Sequence, residues 1–110
     1  MADEQLSIIL VTTPSQEVAQ QLAQDVVKER LAACVNVVPG VVSIYRWKGA
    51  VEQETELLLV IKTVAERVDA LKARLLELHP YELPEVVVIP IGGGHGAYLE
   101  WIAQQVRPLP

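Results

Sequence analysis

A two-residue turn with very long arms constrains this chain more than any other feature. Cys34-Val-Asn-Val-Val-Pro-Gly-Val-Val-Ser-Ile-Tyr-Arg-Trp47 leads up to Lys48-Gly49, and Ala50-Val-Glu-Gln-Glu-Thr-Glu-Leu-Leu-Leu-Val-Ile-Lys-Thr63 leads back. Both arms are rich in β-branched and aromatic residues, and a glycine sits at the turn, which is the signature of a β-hairpin. Strands usually run roughly 3–10 residues. Arms of about fourteen residues at ~3.3 Å each span about 45 Å. A compact domain of this size has a radius of gyration near 13 Å. The hairpin tip must therefore project beyond its own domain and needs another surface to lie on. Self-association is the first expectation, ahead of any reaction.

The remaining elements arrange themselves around that hairpin. Gln5 to Thr13 reads as a buried strand, and Pro14-Ser15 punctuates it. Val18, Leu22, Val26 and Ala19, Ala23, Val27 recur every four residues, so a helix runs from the N-cap candidate Ser15 to about Leu31. Thr63-Val-Ala-Glu66 matches a capping box, and Val68, Leu71, Leu75 and Leu78 mark a second helix, stopped by Pro80. Glu85 to Ile91 is a Val/Ile run suited to a buried strand. Gly92-Gly-Gly-His-Gly96 is a flexible connector to a short last helix carrying Tyr98, Ile102 and Val106. The sequence predicts one domain over residues 1–110 of the α+β class. Its order is β-α-β-β-α-β plus a C-terminal helix, the ferredoxin-like arrangement with a long bent hairpin between the second and third strands.

Alternation along the second arm defines its two faces. Val51, Gln53, Thr55, Leu57, Leu59 and Ile61 share one, and Glu52, Glu54, Glu56, Leu58, Val60 and Lys62 share the other. The tip is acidic on one side, whereas the base is apolar on both. The base is thus expected to be covered on both sides, the second by another subunit. Glu52, Glu54 and Glu56 read as a solvated stripe, although carboxylates also suit hard divalent ions. Lys62, near the buried end, calls for a partner such as a nearby carboxylate. Pro39-Gly40 should bend the first arm.

Charge and cysteine usage exclude several classes of function. The 110 residues carry a net charge of −5 with scattered Lys and Arg, which argues against nucleic acid and anionic membranes as partners. The acidic start Met-Ala-Asp-Glu-Gln is unlike a signal peptide, and no apolar stretch approaches the ~20 residues of a membrane helix. With one cysteine, a reducing compartment and a cytoplasmic location are expected. None of Ser7, Ser15 or Ser43 lies in a nucleophile elbow, so an enzyme is not expected.

His79-Pro-Tyr-Glu-Leu-Pro-Glu85 concentrates an imidazole, a phenol and carboxylates between two prolines. It is either a rigid site or a plain helix-to-strand loop. His79 is a candidate metal ligand, with His95, Cys34 and carboxylates as possible company, but no two of these have a short ligand-like spacing. Cys34 on its own reads as a small buried hydrophobe more than as a ligand. The glycine run before the last helix fits a phosphate loop only weakly, because the Gly-Lys-Ser/Thr ending is missing. Tyr45 and Trp47 share a face near the hairpin tip, as either interface aromatics or a ligand-stacking wall.

Five blocks carry a resemblance that single motifs do not: Leu31-Ala-Ala-Cys-Val-Asn36, Ser43-Ile-Tyr-Arg-Trp-Lys-Gly49, Glu54-Thr-Glu-Leu-Leu-Leu-Val-Ile-Lys-Thr63, His79-Pro-Tyr-Glu-Leu-Pro-Glu85 and Tyr98-Leu-Glu-Trp101. In this order and spacing, the chain resembles the CutA family, the divalent-ion tolerance proteins, from about Leu6 to Trp101. The resemblance implies a homotrimer built through the hairpins, with Tyr45 and Trp47 at the interface and a kinship to the PII signalling proteins. It implies a role in tolerance to copper and other divalent cations, with His79 and Cys34 as candidate metal ligands. A small ligand or metal ion would sit in an intersubunit cleft near Lys62, Tyr81, Glu85 and Trp101. Where a first-strand cysteine and an adjacent histidine have been proposed as copper ligands in the family, this chain has Val11 and Leu78. The rival expectation is a structural module whose trimer anchors a partner protein without a direct metal role.

Overall fold

The computed structural model describes residues 5–108; the acidic start, residues 1–4, lies outside them. The elements are β1 (Leu6–Thr13), α1 (Gln16–Lys28), β2 (Cys34–Trp47), β3 (Ala50–Val64), α2 (Val68–Leu78), β4 (Val87–Ile91) and α3 (Gly96–Gln105), with a 3₁₀ turn at Ala65–Arg67 before α2. The four strands form one antiparallel sheet in the order β2-β3-β1-β4, as expected for the ferredoxin-like arrangement.

The hairpin is as long as its sequence requires. Trp47 pairs with Ala50 across a two-residue turn, and Lys48 and Gly49 both take positive φ, +49° and +83°. Those are the angles of a turn whose twist matches its strands. The register slips between Val38 and Val41, at Pro39-Gly40, where Gly40 adopts φ +75°. Such a bulge kinks the strand locally and increases its twist. The principal extents are 51 × 27 × 22 Å, and the long dimension is that of a fifteen-residue strand.

Alternation assigns the two faces. Ile9 and Val11 of β1 and Leu57, Leu59 and Ile61 of β3 point to one side, where Ala19, Leu22 and Val26 of α1 and Leu71 and Leu75 of α2 cover them. Ser15 caps α1 by accepting the Val18 N–H at 3.2 Å. The opposite face is covered only at its base. There Ile102, Ala103 and Val106 of α3 pack on Leu6, Ala33 and Val64. Ile8, Leu10, Leu58 and Val60 stay half-buried with none of the described elements over them.

Three local expectations are corrected. Thr63 does not cap α2: β3 runs on to Val64, and no side-chain cap forms. Its fully buried hydroxyl instead donates to the Leu31 carbonyl at 2.7 Å, tying the α1–β2 connection to β3. Thr63→Val would strand that carbonyl, and a loss of about 1–2 kcal/mol is expected as a lower urea midpoint at unchanged slope. Secondly, α1 ends at Lys28, where Arg30 takes φ +59° and the Leu31 and Ala32 N–H groups both close on the Val26 carbonyl. Thirdly, β4 is not buried. It forms an edge of the sheet, and Val87, Val88 and Ile89 remain 46, 38 and 41% exposed.

Candidate functional site

Two side-chain groups lie on the sheet face turned away from α1 and α2, at opposite ends. The first gathers where β1 finishes. Pro80 follows the end of α2, and His79 lies beside Thr12 near the end of β1. The imidazole is 7% exposed. Its Nε2 lies 2.8 Å from the Thr12 carbonyl oxygen, which can only accept, so Nε2 carries the proton. Its Nδ1 accepts the Tyr81 N–H at 3.1 Å. The Tyr81 ring leans on the imidazole at 4.7 Å between centroids, and its hydroxyl donates to Glu56 Oε2 at 2.6 Å. Burial, then the hydrogen bond and charge of Glu56, push the Tyr81 phenol well above its ordinary range.

Glu56 does not stand out in the sequence, where it reads as one of a solvated stripe. It is in fact 6% exposed, because the 81–85 loop closes over it. The stripe continues as Glu54 and Glu52, opposite Ser43 and Tyr45. Tyr45 is pushed up by partial desolvation and by the neighbouring Glu54 carboxylate. An open cleft of about 800 Å³ separates this face from the loop, lined by Tyr45, Trp47, Tyr81, Arg46 and the carboxylates of Glu52, Glu54, Glu56, Glu82 and Glu85. Tyr45 and Trp47 are thus walls of the cleft within one chain.

The second group lies at the base. Lys62 finds no carboxylate among the described residues. Its Nζ lies 3.5 Å from the Tyr98 hydroxyl and 5.6 Å from the centre of that ring. Tyr98 stacks on Trp101 at 5.6 Å and 18°, and about two-fifths of each aromatic is exposed. Periodicity marks Tyr98 only as a helix-stripe residue. Its spacing of three from Trp101 on a helix is the signal that pairs them.

The described residues do not fit a metal centre within one chain. Both nitrogens of His79 are engaged. Cys34 pairs with Lys62 at the base while His79 bonds Thr12 at the other end, opposite Leu58, so the two are not brought together. Cys34 is half-exposed rather than a buried hydrophobe, with Sγ 3.9 Å from Asn36 Oδ1. Among the described residues, no group of three His, Cys, Asp or Glu is placed to hold an ion. Lys62, Tyr81, Glu85 and Trp101 likewise divide between the two ends.

Comparison with known proteins places this architecture. Residues 7–105 match the family model of the CutA1 divalent ion tolerance protein. The Divalent-cation tolerance protein CutA of Thermus thermophilus is 50% identical over 97 residues, spanning 88% of this chain and 94% of that protein. Protein CutA of Homo sapiens is 44% identical over 99 residues, 90% of this chain but 55% of its own length; this chain therefore spans about half of the human protein. Among solved structures, the divalent cation tolerance protein of Thermus thermophilus superposes with a TM-score of 0.90 at 48% identity, covering 93% of this chain and 99% of that one. CutA1 from Oryza sativa gives 0.92 at 42% identity, covering 94% and 95%. Fold, hairpin and sequence agree along nearly the whole chain, and the chain belongs to the CutA1 divalent ion tolerance family.

Proposed function

We propose that this divalent-cation tolerance protein works as a homotrimer of PII-like architecture, whose subunit clefts receive a small ligand or a divalent cation such as copper. One observation carries the reading. The sheet face turned away from α1 and α2 presents, between α3 and the hairpin, Ile8, Leu10, Leu58, Val60, Val87 and Ile89 with none of the described elements above them. A continuous apolar surface of that kind marks an association site. The projecting hairpin supplies a long arm to lie across a neighbour. Any cation would have to be held by groups from more than one subunit, because one chain assembles no ligand set among the described residues.

Light scattering at a series of dilutions tests the assembly: the expected mass is three times the 12.1 kDa subunit, and a single-subunit mass would refute it. Calorimetric titration with Cu(II) tests the metal role. Because both His79 nitrogens are occupied, the isotherms of the wild type and His79→Gln are expected to coincide. A saturable isotherm lost only in His79→Gln would put copper on that imidazole.

A further inference from the structure

The glycine run before α3 is not explained by the fold around it. Gly92, Gly93, Gly94 and Gly96 all avoid positive φ, and a Cβ at Gly92, Gly93 or Gly96 would meet nothing within 4 Å. At Gly94 it would reach only the Leu99 side chain, at 3.4 Å. Neither backbone angle nor close packing demands glycine there, whereas glycine does give the link between β4 and α3 conformational freedom. The helix that follows stands apart from the main core. Ile102, Ala103 and Val106 pack with Leu6, Ala33 and Val64 as a separate small cluster, while α1, α2 and the sheet share the larger one. No side chain caps α3 at His95, and a cavity of about 410 Å³ opens between the glycine run, Leu6 and the helix at Leu99 and Ala103. Among the described residues, two side-chain bonds fasten α3 to neighbouring elements. Arg30 Nη1 donates to the Gln105 carbonyl at 3.2 Å, and Lys62 Nζ lies 3.5 Å from the Tyr98 hydroxyl. Arg30 is itself held in place, because its carbonyl accepts from Nε and Nη2 of Arg67 at 3.2 and 3.1 Å.

We infer that α3 is a hinged lid on the base of the sheet. It swings as a unit on Gly92–Gly96, with Arg30 as its latch, while the sheet, α1 and α2 stay folded. Segments that open independently are those with few buried apolar contacts and a connection that absorbs the change in backbone angles. Opening α3 breaks only the smaller cluster and leaves the larger core intact. The latch suits release as well as closure. A guanidinium on the last carbonyls of a helix is a favourable contact, but this one is only partly buried, so both groups pass to water when it parts. Opening uncovers Leu6, Ala33 and Val64 and draws Tyr98 and Trp101 away from Lys62. The base of this face thus alternates between a closed and an open form. The lid belongs to one chain and needs neither the trimer nor a bound ion.

Amide hydrogen exchange of the full chain, at one protein concentration throughout, tests the lid. Corrected for intrinsic rates, the amides of Leu99 to Gln105 are expected to exchange at least about 100-fold faster than those of Val11 and Leu59 in the core strands. Leu71→Val loosens the main core, which α3 does not share. It should speed the Val11 and Leu59 amides about tenfold and leave the α3 amides unchanged. Arg30→Asn removes the latch while keeping a residue type that tolerates the φ of +59°, and the α3 amides should then exchange about tenfold faster. The double variant Gly92→Ala, Gly93→Ala restricts the open form and should slow them about threefold or more. Circular dichroism confirms the fold of each variant. In the wild type alone, α3 exchange should rise less steeply with urea than core exchange, because less surface is exposed. An α3 that exchanges at the core rate, with the same urea slope and the same response to Leu71→Val, overturns the lid. Indifference of α3 to Arg30→Asn overturns the latch, and indifference to the alanine pair overturns the hinge.

Discussion

Replacing Val87 by Asp is expected to leave the subunit folded and to weaken its self-association by at least about 100-fold, the equivalent of roughly 3 kcal/mol. Val87 sits on the edge strand β4, opposite Leu10 of β1, and is 46% exposed in the single chain. In an isolated subunit a carboxylate there reaches water and costs little. In an assembly that covers the apolar strip, the same carboxylate is buried beside Leu10 and Val60 without a partner, at a cost of several kcal/mol. Leu76→Asp on the outer side of α2, where Leu76 is 55% exposed, supplies the control and should assemble as the wild type does. Sedimentation across a dilution series reads both. Unchanged assembly of Val87→Asp would remove β4 from the interface and with it the main support for the covered sheet face.

The same strand shows how far periodicity reaches. The Val/Ile run of β4 suits a strand buried on both faces, but the sheet order puts it at an edge with side chains still in water. Sequence alternation reports which residues want cover; it does not say whether the cover comes from the same chain. The hairpin, its bulge at Pro39-Gly40 and the amphipathic α1 are legible because each is set by local chemistry: turn angles, a missing donor, a four-residue repeat. Thr63 misleads because a capping box and a buried threonine on a strand share the same four letters, and the pull of the Leu31 carbonyl decides between them. Glu56 is unreadable as a site residue. Its burial depends on a loop twenty-five residues later folding over it, and no pattern within β3 records that. The prolines do mark His79 as a rigidly placed side chain. Its placement, however, consumes both ring nitrogens in backbone hydrogen bonds.

The loop that carries His79 is fastened to the hairpin by one side-chain bond, so Tyr81→Phe should be among the most damaging small changes in the chain. Removing the hydroxyl leaves the Glu56 carboxylate, 6% exposed, without its donor at 2.6 Å. Bonds to charged acceptors contribute about 1.5–3 kcal/mol, and the expected loss near neutral pH is about 2 kcal/mol. The pH dependence separates this bond from general packing. In the folded chain the Tyr81 phenol is raised, first by burial and then by Glu56, whereas in the unfolded chain it titrates near pH 10. The folded state therefore keeps a proton that the unfolded state releases. Tyr81 contributes its full stability below about pH 10, and that contribution falls as the pH rises from there towards the higher folded value. The phenylalanine variant has no such proton, so the stability gap between the two proteins should narrow above about pH 10. In a double-mutant cycle, Glu56→Gln should cost less in the Tyr81→Phe background than in the wild type, with a coupling of about 1–2 kcal/mol. A gap constant through the alkaline range together with zero coupling would mean that the loop is held by its prolines and His79 alone, and that Glu56 plays no part in shaping the cleft.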